Sequence, residues 1–168
     1  MSSFQLISLS PEQFSHLFSL TAEQLAPLGV VRVTADAKPG FPCRISLQDA
    51  EPGEQLLLLP YEHQPSSSAY RASGPIYVRA GSQQSHLQPG EIPPYVSLRQ
   101  IPVRTYDARH MMVGAEVCPG GEVAKEIQRQ FSDPVVSYIH LHNAKRGCFS
   151  CRVESSAWRP GSQLEARH

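Results

Sequence analysis

VVSYIHLHNAKRGCFSCRVE, residues 135–154, is the stretch on which the reading of the fold turns. Residues 135–142 are rich in β-branched and aromatic side chains, and residues 148–153 return to strand composition. The polar run 143–147 between them marks a tight turn, so the stretch predicts a β-hairpin. Side chains alternate along a strand, which sends Val136, Tyr138, His140 and His142 to one face and Ile139 and Leu141 to the other, the core face. The loop length decides what meets what, because a one-residue slip flips a strand. A loop of three or five residues puts Cys148 on the histidine face, and a two-residue loop puts Cys151 opposite His140. The first is the expected register, since it sends Phe149 and Val153 to the side of Ile139 and Leu141.

Working outward, residues 121–131 carry Val123, Ile127 and Phe131 in a helical row, ended by Asp133 and Pro134. Residues 103–107 and 111–118 predict two antiparallel strands about a turn at 107–110, with Met111 and Met112 as packing residues. Near the start, residues 4–9 suggest a strand. Ser10-Pro11-Glu12-Gln13 and Thr21–Gln24 then read as two capped starts of short helices, stapled by Leu9 with Phe14 and Leu20 with Leu25. Strands are expected at 30–35, 43–47, 55–61 and 76–79; the four leucines 56–59 are too short a run for a good helix. Residues 63–69 read as a polar loop that includes His63, residues 80–94 as a mobile Gly/Pro/Gln/Ser-rich loop, and 95–100 fit no one class.

With 168 residues the chain is long enough for one domain with a real core. Fifteen basic residues balance fifteen acidic ones, so no long-range field favours nucleic acid or an anionic membrane. No apolar run approaches a membrane span, and the first residues lack a secretory pattern. Four unevenly spaced cysteines do not make a disulfide scaffold, so a reducing cytoplasm is the expected setting. Cys148 and Cys151 have redox-pair spacing, but in one strand they sit on opposite faces, roughly 10 Å apart at about 3.3 Å per residue, too far for a bridge.

The candidate chemistry gathers in a few places. His140 and His142 on one face, beside Cys148, suggest a polar cluster in which imidazoles move protons and activate a thiolate; His63 joins them from its loop. The same pair, His140 and His142, is the start of a metal site, but no third ligand has a diagnostic spacing. Tyr70, Arg71, Ser73 and Gly74 form a turn with a guanidinium, suited to an anion; Arg44, after Pro42 and Cys43, reads the same way, and Asn143, which opens the hairpin turn, is a further candidate ligand-binding residue. The rival reading gives each a local structural task, with Arg71 in a structural salt bridge of an ordinary turn and Cys148 as a small apolar filler. No phosphate loop, dinucleotide fingerprint or serine elbow is present.

Several phrases carry a resemblance: PGFPCR (39–44), DAEPGE (49–54), YEHQP (61–65), YRASGPIYVR (70–79), YDARHMMVGAEV (106–117) and YIHLHNAKRGC (138–148). In this order and spacing the chain, up to Val153, resembles a bacterial family known only as domain of unknown function number twelve hundred and three. The resemblance implies a small single-domain bacterial protein and supplies no reaction, cofactor or partner. His142, Asn143, Ala144, Gly147 and Cys148 match the family pattern; Cys151 departs from it, where a small residue is usual, so no family role extends to the cysteine pair.

The expectation is a single α+β domain over residues 1–155, a mostly antiparallel curved sheet with two short N-terminal helices and one later helix. Residues 156–168, with Trp158, read as a disordered tail. The leading function is a cytoplasmic protein with a pocket for a small anionic ligand, either a ligand-binding protein or an enzyme that acts on it. Its pocket is walled by residues 61–63, 70–74 and 140–148: Arg71 holds the anion, His142 or His63 serves as acid or base, and Cys148 is nucleophile or lining. The alternatives are a non-catalytic interaction module and a metal-binding protein using His140 and His142. The cofactor and the oligomeric state are left open, and no nucleic acid or membrane is expected as partner.

Overall fold

Strong strand formers and short capped turns dominate the chain, and the computed structural model, which describes residues 3–156, places them in two five-stranded sheets. In chain order the strands are β1 (Phe4–Ile7), β2 (Val31–Thr34), β3 (Pro42–Cys43), β4 (Gln48–Asp49) and β5 (Gln55–Gln64). They continue with β6 (Ala72–Arg79), β7 (Gln100–Tyr106), β8 (Met112–Pro119), β9 (Tyr138–His142) and β10 (Phe149–Ser155). The first sheet runs β1-β10-β9-β7-β8 and is antiparallel throughout; the second runs β2-β5-β6-β3-β4, with β3 and β6 parallel. The α+β single domain is thus as the sequence indicated, with its mostly antiparallel strands shared between two sheets rather than one.

The N-terminal helical stretch is mostly 3-10: turns at Pro11–Gln13 and Ser15–Ser19, then α1 (Ala22–Leu25) running into a third at Ala26–Leu28. Thr21 and Gln24 close a full capping box, whereas Ser10 accepts from the Glu12 N–H and no box forms with Gln13. Both staples pack: Phe14, Leu17 and Leu25, with Leu9 and Leu20 at their margin, cover Leu57, Leu59, Ile76 and Val78 of the second sheet. The first sheet buries Ile101, Val103, Ile139, Leu141, Cys151 and Val153 against Val123 and Ile127 of α3 (Val123–Phe131). The unassigned stretch 95–100 contains most of α2 (Pro94–Ser97), on which a 3-10 turn at Gly120–Glu122 docks, and its end begins β7.

Residues 80–94 are strapped down rather than free. The Gly90 N–H donates to Phe4 O (2.7 Å), the Ser85 N–H to Ile45 O (2.9 Å) and the Gln5 side chain to Leu87 O (2.6 Å). Among the described residues no helix is long and apolar enough to cross a membrane. The expected tail, with Trp158, lies outside the described residues apart from Ser156.

Candidate functional site

The hairpin opens with Asn143, whose N–H donates to Cys148 O (2.9 Å), and the Gly147 N–H donates back to Asn143 O (2.7 Å). Four residues therefore make the loop, and Gly147 takes the left-handed conformation (φ 73°) that closes it. This even count corrects the expected three- or five-residue loop: Phe149, not Cys148, stands opposite His142. A bulge between Phe149 and Cys151 then shifts the register, so Cys151 and Val153 still pair with Leu141 and Ile139 on the core face. Phe149 leaves the core face where it was expected and packs its ring among the histidines. The single cluster of His140, His142 and Cys148 is thereby divided into two sites.

The first site is imidazole. β5 runs on to Gln64 with an irregularity between Tyr61 and Gln64, so His63 is a strand residue of the second sheet rather than part of a loop. Its ring stacks on Phe149 (5.3 Å, 4°) and meets the His142 ring edge-on at 5.1 Å and the His140 ring at 6.2 Å. His140 and His142 are 3 % and 1 % exposed. One nitrogen from each of the three rings lies within 4.8 Å of the others. The His142 Nδ1–H donates to Gly147 O (3.0 Å), which leaves Nε2 with a lone pair, and Arg104 Nη1 donates to it at 3.4 Å. The Nδ1 atoms of His63 and His140 are buried without a hydrogen-bond partner.

Burial is the main reason these rings resist protonation. It pushes His140 down to about 3 with help from the Arg152 charge. It pushes His142 down to about 4 against the Gly147 carbonyl, which favours the proton, and with Arg104 adding to the fall. His63 is also lowered, by burial and then by Arg104. Burial thus disfavours the imidazolium form of all three rings. Beyond His140 the polar face continues through Tyr138, whose hydroxyl accepts from Gln64 Nε2 (2.8 Å) and bonds His110 Nδ1 (2.7 Å), while Arg152 lies 4.1 Å over its ring.

The second site is cationic. Arg44 follows β3 and is 1 % exposed. Its Nε donates to Phe149 O (2.8 Å), its Nη1 to Pro42 O (2.5 Å) and its Nη2 to Cys148 Sγ (3.1 Å). Asn143 Nδ2 also points at Cys148 Sγ (3.8 Å), while the buried Asn143 Oδ1 has no partner. These side chains wall a cavity of about 260 Å³ with Tyr77, Lys145 and Arg146. Arg99 also reaches it but is held by both oxygens of Asp49. Among the described residues no carboxylate pairs with Arg44, Lys145 or Arg146.

Arg71, Tyr70, Ser73 and Gly74 take no part in either site. β6 begins at Ala72, so Ser73 and Gly74 are strand residues rather than a turn, and Gly74 pairs with Tyr61. The Arg71 side chain is 65 % exposed and bonds Glu62 (2.7 Å): the salt bridge of its rival reading forms, but at the surface. Tyr70 lies edge-on to Tyr106 at 6.3 Å. A larger cavity of about 780 Å³ has Lys38, Glu51, Glu54 and Arg79 in its walls, but these charges pair with one another, which leaves little to draw a ligand. Sequence reasoning passed over Arg104 and Lys145-Arg146. Alternation along β7 places Arg104 opposite His140, a signal available once that strand is paired.

The family model described as "Protein of unknown function (DUF1203)" matches residues 40–155, which span the strands of both sites. No curated protein and no solved structure matches the chain.

Proposed function

This chain belongs to the DUF1203 family, and on that footing we propose that it binds a small anion in the cavity between Arg44, Asn143 and Cys148. One observation carries the reading: a buried guanidinium whose donors reach two carbonyls and a thiol, with no carboxylate to balance it, in a cavity rimmed by Lys145 and Arg146. A charge buried without a counter-charge is costly, and an anion in the cavity offsets that cost. Arg44 takes the anchoring role first given to Arg71. The volume lies just under the ~300–1,000 Å³ usual for drug-sized ligands, which favours a small carboxylate or phosphate ester. Cys148 adds a thiol to the wall, and the unpartnered Asn143 Oδ1 suits a hydroxyl or amine on the same ligand. His63, His140 and His142 do not line this cavity, so a histidine acid or base is no part of the proposal.

The test compares alkylation of Cys148 by iodoacetate, an anion, with alkylation by neutral iodoacetamide, against N-acetylcysteine amide as reference. Each facing charge is worth about 1 kcal/mol at 4 Å in water, so Lys145 and Arg146 together should raise the iodoacetate-to-iodoacetamide ratio about thirtyfold over the reference at that distance, and less at longer range. The double variant Lys145→Gln, Arg146→Gln should bring it back toward the reference. A ratio at or below the reference in the unmodified protein favours the non-catalytic module, in which Arg44 only braces the hairpin.

A further inference from the structure

His63, His140 and His142 are not needed by the anion cavity, yet three buried or half-buried imidazoles converge from two different sheets. We infer that they form a three-histidine site for a borderline transition-metal dication of the zinc type, with a fourth position left for water or an anion. Metal-ligating nitrogens sit about 2.0–2.1 Å from zinc, which puts them about 3.3 Å apart in a tetrahedron. The nitrogens here are within 4.8 Å of one another, so closing on an ion takes movements of about 1 Å, within reach of small side-chain rotations.

Three features favour an ion over ordinary packing. His142 is oriented as metal ligands usually are: the Gly147 carbonyl holds the proton on Nδ1 and leaves Nε2 with a free lone pair. The Nδ1 atoms of His63 and His140 are buried and unpartnered, an arrangement that costs free energy until something bonds them. The donor set is all imidazole, which suits zinc, copper, nickel or iron and not magnesium or calcium, which take oxygen. The nearest charges are Arg104 and Arg152 rather than carboxylates, so a dication here must displace the Arg104 contact with His142 Nε2. The same two arginines favour an anionic fourth ligand. A bound ion would tie β5 of the second sheet to β9 of the first.

The test uses the chelator-treated chain with its accessible cysteines, Cys118 and Cys148, alkylated, titrated with Co²⁺ alone. The comparison is His63→Phe, which keeps an aromatic ring for Phe149 to stack on and removes one ligand from the half-buried position. The expected result is one Co²⁺ per chain with the intense visible absorption of tetrahedral cobalt and a rise in Tm, with affinity at least a hundredfold lower in His63→Phe. Circular dichroism checks that the variant is folded. If it is not, His63→Gln, which keeps the volume more polar, takes its place. Equal binding by protein and variant, an octahedral spectrum, or no binding by either overturns the site.

Discussion

The neutral, buried imidazoles give the metal-free protein an acid sensitivity that can be worked out in advance. The perturbation is a shift from pH 6.5 to 4.5. Well above pH 6.5 neither the folded nor the unfolded chain carries protons on His140 or His142, and their contribution is constant. As the pH falls, the unfolded chain takes up protons at the ordinary histidine value of 6.5, while the folded chain holds these rings neutral down to about 3 and about 4. The unfolded state binds more protons, so stability falls with falling pH. Each ring contributes about 1.4 kcal/mol per pH unit, which gives a slope of about 3 kcal/mol per unit and a loss of order 5 kcal/mol over the interval. That is comparable to the whole stability of a typical domain, about 5–15 kcal/mol. The depressed carboxylates Glu54 and Glu126 act below the ordinary value of 4.5, outside this interval. Urea unfolding at four pH values measures the slope. His140→Phe, which suits a position flanked by Tyr106, Tyr138 and Phe149, should lower it by about 1.4 kcal/mol per unit. A slope under about 0.7 kcal/mol per unit, or a gain in stability on acidification, would refute the placement of these rings.

Two further outcomes follow from single positions. Gly120→Ala should destabilise by about 1–3 kcal/mol in urea unfolding, since a Cβ there would meet the carbonyl oxygens of Val96 and Arg99 and the Ser97 Cα, the latter two at 2.7 Å. Arg71→Gln should change stability by no more than about 0.5 kcal/mol and leave the iodoacetate preference at Cys148 intact, because its pair with Glu62 is exposed. A loss of that preference would return Arg71 to the site.

The local signals were legible. The leucine run, the Thr21 capping box, the row Val123, Ile127, Phe131 and the two strands of the opening stretch all stand where composition and period place them. What sequence did not give is long-range or hangs on a single residue of count. One residue in the loop after Asn143 decides whether Cys148 or Phe149 faces His142, and composition does not register that parity. His63 reaches the histidines only because β5 continues past Pro60 into the irregularity before Gln64. Arg44 and Arg71 look alike in sequence. Packing beneath the hairpin buries the first, while Glu62 holds the second at the surface, and neither environment is encoded nearby.

The anion cavity is tested most directly by titrating ¹⁵N-labelled protein with inorganic phosphate and, separately, malonate, while following the Arg44 Nε–H and the Asn143 side-chain amide. The account predicts saturable shifts at these two groups and at the amides of the 143–148 loop, with affinity reduced about tenfold in Lys145→Gln, Arg146→Gln. Linear, unsaturating shifts, or saturable shifts confined to other parts of the chain, would contradict it.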